Sequence, residues 1–217
     1  MPEVDFRVES AAAVEAAAAP VLALTLKLFA TPRGTEIQGV ALRVQVRIVA
    51  TQRRYDRDEE ERLHDLFGAP SLWGRTLKSL LWANVHLNVP GFTDQGEIDL
   101  MLPCTFDLDV AAAKYLYGVQ RGVVPLTLLF SGTIFHAGPD GALQISPIAW
   151  SKEVTFPLPV ATWQSAIEMH YPNRAALEVR RDLFDRLYRY RQERGLTSWD
   201  AALETLLAAE PLPSAKP

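Results

Sequence analysis

Along Val40-Ala41-Leu42-Arg43-Val44-Gln45-Val46-Arg47-Ile48, apolar residues hold every second position and Arg43, Gln45 and Arg47 hold the other parity. Side chains alternate across a strand, so this segment predicts one buried face and one wet face. Leu22, Leu24, Leu26 and Leu28 alternate in the same way with Ala23, Thr25 and Lys27. The two segments flank Pro32-Arg33-Gly34 and read as a hairpin, with Leu22, Leu24, Leu26, Val44, Val46 and Ile48 facing one core. Leu81, Ala83, Val85, Leu87 and Val89 share a parity against Asn84, His86 and Asn88, and Ile98, Leu100 and Leu102 oppose Glu97 and Asp99. Leu126, Leu128, Phe130 and Ile134 keep strand spacing. After the turn signal Pro139-Asp140-Gly141, two shorter strands follow, from Leu143 to Ile148 and from Val154 to Leu158. With an opening strand at Phe6, Val8 and Ser10, about eight strands are expected, which suits a two-layer antiparallel body.

Three stretches depart from this rhythm. Asp56 or Asp58 can cap a helix whose first turn carries Glu59, Glu60 and Glu61, favourable at the positive end of the dipole. Leu63, Leu66 and Phe67 give it an apolar stripe before Gly68 and Pro70 end it. Asp107 or Asp109 is placed to cap a short helix from Val110 to Tyr117, ended by Gly118; the alanines from Ala11 to Ala19 fit a helical turn or a loop. From Pro159 the apolar period becomes helical. Val160, Trp163 and Ile167 mark one helix, and a second from near Asn173 turns Ala176, Leu183, Phe184 and Leu187 inward. A third has Thr197 and Asp200 as a shortened capping box and Trp199, Leu203, Leu206 and Leu207 as its stripe. The expected fold is α+β and mainly antiparallel β. A two-layer β-sandwich-like body spans residues 1–158 with a helical insertion near 56–73, a C-terminal helical segment at 159–210 packs on it, and 211–217 form a disordered tail.

Composition narrows the function classes. The 217 residues are 48% hydrophobic, enough for one sizeable core, and the formal net charge of -4 argues against a general nucleic-acid binder. One cysteine excludes an intrachain disulfide and a cysteine-rich zinc site. Met1-Pro2-Glu3-Val4-Asp5 lacks the basic start and apolar run of a secretory signal, and no apolar run approaches the roughly 20 residues that span a bilayer. A cytoplasmic protein without membrane insertion is expected.

Candidate chemistry is sparse. Cys104 could be a nucleophile with His86 or His136 as base, but no motif surrounds it, and a lone cysteine is more often a small buried hydrophobe. The four histidines, His64, His86, His136 and His170, are widely separated and show no metal-binding spacing. Asp107 and Asp109 could do paired acid–base work, though capping explains at least one of them more cheaply. Gly118-Val119-Gln120-Arg121-Gly122 lacks the lysine of a phosphate loop and precedes a strand. Arg180, Arg181, Arg186, Arg189, Arg191 and Arg194 alternate with Glu178, Asp182, Asp185 and Glu193, which predicts pairs along a solvated helix face that a protein partner could also read. Among the tryptophans, Trp163 and Trp199 fit helical stripes, Trp73 and Trp82 could anchor an interface or fill a junction, and Trp150, beside Ser151-Lys152-Glu153, is the one expected to be exposed.

Several strings resemble a known family in combination. They are Leu66-Phe67-Gly68-Ala69-Pro70, Pro103-Cys104-Thr105-Phe106-Asp107, Ala111-Ala112-Ala113-Lys114-Tyr115, Val124-Pro125-Leu126, Leu129-Phe130-Ser131-Gly132-Thr133, and Trp150 with Lys152-Glu153. They resemble the bacterial domain of unknown function number six thousand and eighty-four over nearly the whole chain. The resemblance implies a setting near genes for uptake nickel–iron hydrogenases and carries no activity or site residue with it. Leu102-Pro103-Cys104, followed by a short helix and Arg121-Gly122-Val123-Val124-Pro125-Leu126, is similar to the SecB export chaperone. It implies an alternative fold, an antiparallel sheet backed by helices, from which the hairpin at Pro139 to Gly141 departs. The expected function is a non-enzymatic accessory or assembly protein that binds another protein, with a hydrogenase subunit as a candidate partner. Trp150, Lys152, Glu153, Arg186 and Arg189 are its candidate contacts, and no cofactor, metal or catalytic residue is assigned. The competing expectation is an enzyme or small-ligand binder with a site around Cys104, His86 and His136.

Overall fold

The alternating segments build two antiparallel sheets that share one core. The computed structural model describes residues 2–105, 107, 110–138, 140–174 and 178–209. Asp109, Pro139, Ala176 and the tail 211–217, assigned above to a cap, a turn, a helix face and a disordered end, lie outside the described residues. The strands are β1 (Glu3–Ala13), β2 (Val21–Thr31), β3 (Glu36–Ile48), β4 (Leu80–Thr93), β5 (Gln95–Pro103), β6 (Val123–Ala137), β7 (Leu143–Pro147) and β8 (Glu153–Pro159). One sheet has the order β1-β2-β5; the other runs β4-β3-β6, with both β7 and β8 paired to β6. Every pairing is antiparallel. Eight strands in two sheets replace the single helix-backed sheet of the SecB-like alternative.

The inward parity of both sheets supplies the core. Leu22, Leu24, Leu26, Leu100 and Leu102 of the first sheet, and Val44, Val46, Ile48, Leu126 and Leu128 of the second, are fully buried in one cluster. Each such side chain contributes roughly 1.5–3 kcal/mol. Phe6 stacks on Phe130 across the layers with ring centres 4.1 Å apart.

Two expectations about the strands need correction. β2 and β3 do not form a hairpin: β2 pairs with β1 and β5, and β3 with β4 and β6. The Pro32–Gly34 connection carries the chain from one sheet to the other. Alternation says only that each strand buries one face, and a corner between two layers satisfies that as well as a hairpin within one. Leu81, expected inward, is 51% exposed, while Leu80 is buried. β4 carries one extra residue, Trp82, opposite the Val46–Arg47 step, and this bulge inverts the parity of the strand before it. The Trp82 indole N–H donates to the Pro103 carbonyl at 3.3 Å.

The insertion between β3 and β4 holds α1 (Arg57–Arg62), α2 (His64–Phe67) and α3 (Trp73–Thr76). Asp56 caps α1 in a reciprocal box with Glu59, and Leu63 and Phe67 are buried. A network fastens the insertion to the sheet. Glu59 is only 2% exposed, and Arg53 forks onto its carboxylate with two 2.8 Å hydrogen bonds. Arg53 also donates to the carbonyls of Arg121 and Val123, and the Gln120 amide donates to Glu59 at 3.1 Å. Burial alone would raise the Glu59 carboxyl, but the bonds from Arg53 and Gln120 outweigh it and hold the group below its ordinary value. Tyr55, Phe67, Trp73 and Tyr115 close the region as edge-to-face rings, with the Tyr55 and Tyr115 hydroxyls 2.8 Å apart. α4 (Ala111–Gly118) follows β5; its N-cap position is Val110, which makes no side-chain capping bond, rather than Asp107. That helix continues through Gly118, where a Cβ would come within 2.8 Å of Leu63. α5 (Val160–His170) buries Val160, Trp163 and Ala166 and lies against β1, β2 and β8.

The chain divides into two compact units, Met1–Ala176 and Leu177–Pro217. The second holds α6 (Arg181–Glu193) and α7 (Trp199–Ala209). α6 starts later than expected: Asn173 has a left-handed φ of 51°, and Arg180, the N-cap residue, is non-helical at φ -59° and ψ 146°. It ends in a Schellman motif: Leu196 N–H donates to Arg191 O, Gly195 N–H donates to Gln192 O, and Gly195 has φ 63°. α7 is capped by Ser198, whose Oγ accepts the Ala201 N–H at 3.0 Å, not by Thr197 with Asp200. No residue of α6 is buried, and Phe184 stays 43% exposed where an inward face was expected. The expected ladder of ion pairs is also missing: among the described residues of α6 and its flanks, only Arg180–Asp182 comes within ion-pair distance. Arg191 instead stacks over Trp199 and Tyr188, and Arg194 over Tyr190. A planar guanidinium gains as much from an aromatic face as from a solvated carboxylate.

Candidate functional site

The outward parity of the second sheet assembles a polar face from four strands, β4, β3, β6 and β8. Ladder register sets its rows. His86 lies opposite Arg43 and Arg43 opposite Ser131; Asn84, Gln45, Leu129 and Glu153 form the next row; Leu81, Arg47, Thr127 and Thr155 form the one after it. The Gln45 amide donates to Asn84 at 3.3 Å. Among the described residues neither the Arg43 nor the Arg47 side chain has a hydrogen-bonding or ion-pairing partner, and the Arg47 Nε is buried without one.

A tight turn lifts a tryptophan beside these rows. β6 is longer than either edge partner: β8 pairs with Val123 through Leu129, and β7 with Thr133 through Ala137. In the gap, Ile148 N–H donates to Gly132 O at 3.0 Å and Phe130 N–H donates to Lys152 O at 2.9 Å. Lys152 N–H then donates to Ala149 O at 3.0 Å, closing a turn with Trp150 and Ser151 at its corners. Trp150 is 91% exposed. Gly132 is required where the partners change: its φ is 142°, and a Cβ there would collide with the Ala41 carbonyl. From the other side, Lys152 Nζ meets Asp5 at 2.6 Å and Glu3 at 3.2 Å. The hydrogen bond to Asp5 is the main reason its ammonium is held above its usual value. Two shallow grooves meet along the Arg43–His86–Ser131 row. One of about 480 Å³ extends toward Asn88 and Thr133, the other of about 500 Å³ toward Gln45, Asn84 and Trp150.

The sequence-predicted contacts separate on this structure. Trp150 and Glu153 belong to the polar face, whereas Lys152 is drawn into its ion pairs with β1. Arg186 and Arg189 are exposed on α6, in the other unit, where Arg189 Nε reaches the Asp185 carbonyl at 3.4 Å. Cys104, His86 and His136 do not converge. Cys104 is buried where β5 ends, with its thiol pushed up to about 12 by that burial. His136 is buried and bonded to Ser146 Oγ at 2.9 Å, while His86 is exposed. His136 lies five residues along β6 from the His86 row, roughly 17 Å at strand rise. Among the described residues no three His, Cys, Asp or Glu side chains gather as a metal site, and no helix is long and apolar enough to cross a membrane.

Arg43, Arg47 and Ser131 are the residues that sequence reasoning passed over as an ordinary wet face. A signal was present: the outward positions of β3 and β4 are Arg, Gln, Arg and Asn, His, Asn, side chains with long reach and many donors. Pairing information was needed to join them.

Comparison with curated proteins gives no match. Among solved structures, the sporulation control protein Spo0M of Bacillus subtilis is similar at 13% identity and a TM-score of 0.27, over 73% of this chain and 48% of that one. Beta-glucosidase 3B of Thermotoga neapolitana, solved with alpha-D-glucose, is similar at 12% identity and a TM-score of 0.25, over 72% of this chain and 17% of that one. The chain thus spans about half the length of the first and under a fifth of the second. A family model matches residues 1–214, and the chain accordingly belongs to the family of unknown function DUF6084.

Proposed function

We propose that this is a non-enzymatic, cytoplasmic accessory protein that docks another protein on the outer face of its second sheet. The observation that carries the reading is Trp150, 91% exposed on a turn fixed from both sides and bordering the same groove as Arg43, whose side chain has no partner among the described residues. Leaving a large apolar ring in water is unfavourable, and tryptophan and arginine are the residues that most often dominate binding energy at interfaces. A turn held by three backbone hydrogen bonds and the Lys152 ion pairs also limits the ordering cost on association. The family resemblance suggests a nickel–iron hydrogenase subunit as the first partner to try.

The test is affinity capture from native cells with the wild-type protein and with Trp150→Ala, together with deletion of the gene scored for hydrogenase activity. Capture of one partner protein that Trp150→Ala abolishes is expected. Identical captured proteins with both baits would remove the surface from consideration. Normal hydrogenase activity in the deletion strain, with no subunit captured, would remove that partner.

A further inference from the structure

The docking face carries a charge pattern of its own. Arg43 and Arg47 are four residues apart on β3, which has no extra residue between them in its pairing with β6. They therefore project from the same side of the sheet, roughly 13–14 Å apart at strand rise. Glu153 is the one carboxylate in the three outward rows that run from Arg43 to Arg47. The face is thus locally cationic on a chain whose formal charge is -4. Between the two guanidinium groups lies the row of Gln45 and Leu129, and Trp150 borders the groove along that row.

We propose, resting on the protein-docking reading above, that the partner lays an extended acidic segment along β3, with carboxylates four residues apart for Arg43 and Arg47 and an apolar side chain midway for Leu129 and Trp150. An extended chain has the same rise and alternation as the strand beneath it, so residues i, i+2 and i+4 point to one side at the matching spacing. Carboxylates complete the donors of a guanidinium fork, which a neutral saccharide resting on Trp150 would leave unneutralised.

The probe is a dye-labelled, end-blocked peptide with the core Glu-Ser-Leu-Ser-Glu, titrated against the full chain by fluorescence anisotropy. Binding is expected to be at least about tenfold tighter than for the same peptide with lysine in place of glutamate, and to weaken as salt rises toward about 0.5 M. Arg43→Ala and Arg47→Ala should each weaken it by about tenfold or more. Arg43 is solvent-exposed, so the Arg43→Ala variant keeps the fold, and an unchanged thermal melt verifies this. Equal affinity for the acidic and lysine peptides would overturn the proposal, as would Arg43→Ala binding like wild type. Binding of a neutral oligosaccharide such as maltohexaose that survives Arg43→Ala would overturn it too. Native capture separates the two readings. A partner lost in Trp150→Ala but retained in Arg43→Glu at high salt sinks the acidic segment and leaves the docking reading standing.

Discussion

Removing one member of the Arg53–Glu59 pair leaves a charge that water barely reaches. Arg53→Met should cost about 3–5 kcal/mol in urea unfolding, and adding Glu59→Leu should recover a large part of the loss. Acid behaviour follows with a definite sign. Because the folded Glu59 carboxyl is held below its ordinary value, the unfolded chain takes up the proton first as pH falls. The stabilisation is full above the ordinary value near about 4.3 and drains as pH drops through the lower folded one. Glu59→Gln, weaker at neutral pH, should therefore lose less between about pH 5 and about pH 3 than wild type does. Cys104, its thiol raised by burial to about 12, should resist a thiol reagent at neutral pH until the protein unfolds. The sequence showed Glu59 as a helix-opening acid and Cys104 as a buried apolar residue. It could not show that Arg53, six positions upstream, closes over the same carboxylate, because the loop from Gln120 to Val123 that completes the site is distant in sequence.

The scale of the element is where alternation and pairing part company. Parity alone places Val46 inward and Gln45 outward, and Val46→Asp should abolish folding while Gln45→Asp shifts the melting temperature little; thermal melts of both test it. Gly132→Ala should destabilise by more than the about 1–3 kcal/mol that a strained φ alone costs, since the new Cβ also collides with the Ala41 carbonyl, and chemical unfolding reads the difference. Strand positions were legible because each strand wets one face. The partners of β2 and β3 were not, since sandwich corners and hairpins leave the same trace in sequence. Nor was the bulge at Trp82: one inserted residue is invisible to a two-residue period until the opposing strand fixes the count. In α6, arginines and carboxylates at helical spacing predicted ion pairs, but rings at the same spacing compete for the guanidinium groups.

At the scale of the whole molecule, the buried cluster that joins the two sheets draws, among the described residues, on none beyond Ala166. Residues 1–176 should therefore fold alone, with a cooperative melt and dispersed amide resonances like those of the full chain. The polar face proposed for docking is likewise a property of the assembled sheet. Trp150 was readable as a lone aromatic in a polar stretch, while Arg43, His86 and Ser131 become neighbours only when three strands distant in sequence align. The turn that carries Trp150 stands where β8 has left β6 and β7 has not yet joined it, so its corner residues contribute nothing to either ladder. Folding and the proposed recognition thus answer to different positions. If partners dock there as proposed, selection, or an engineer, can exchange or lengthen that corner to change what binds while the sandwich beneath it goes on assembling in the same register.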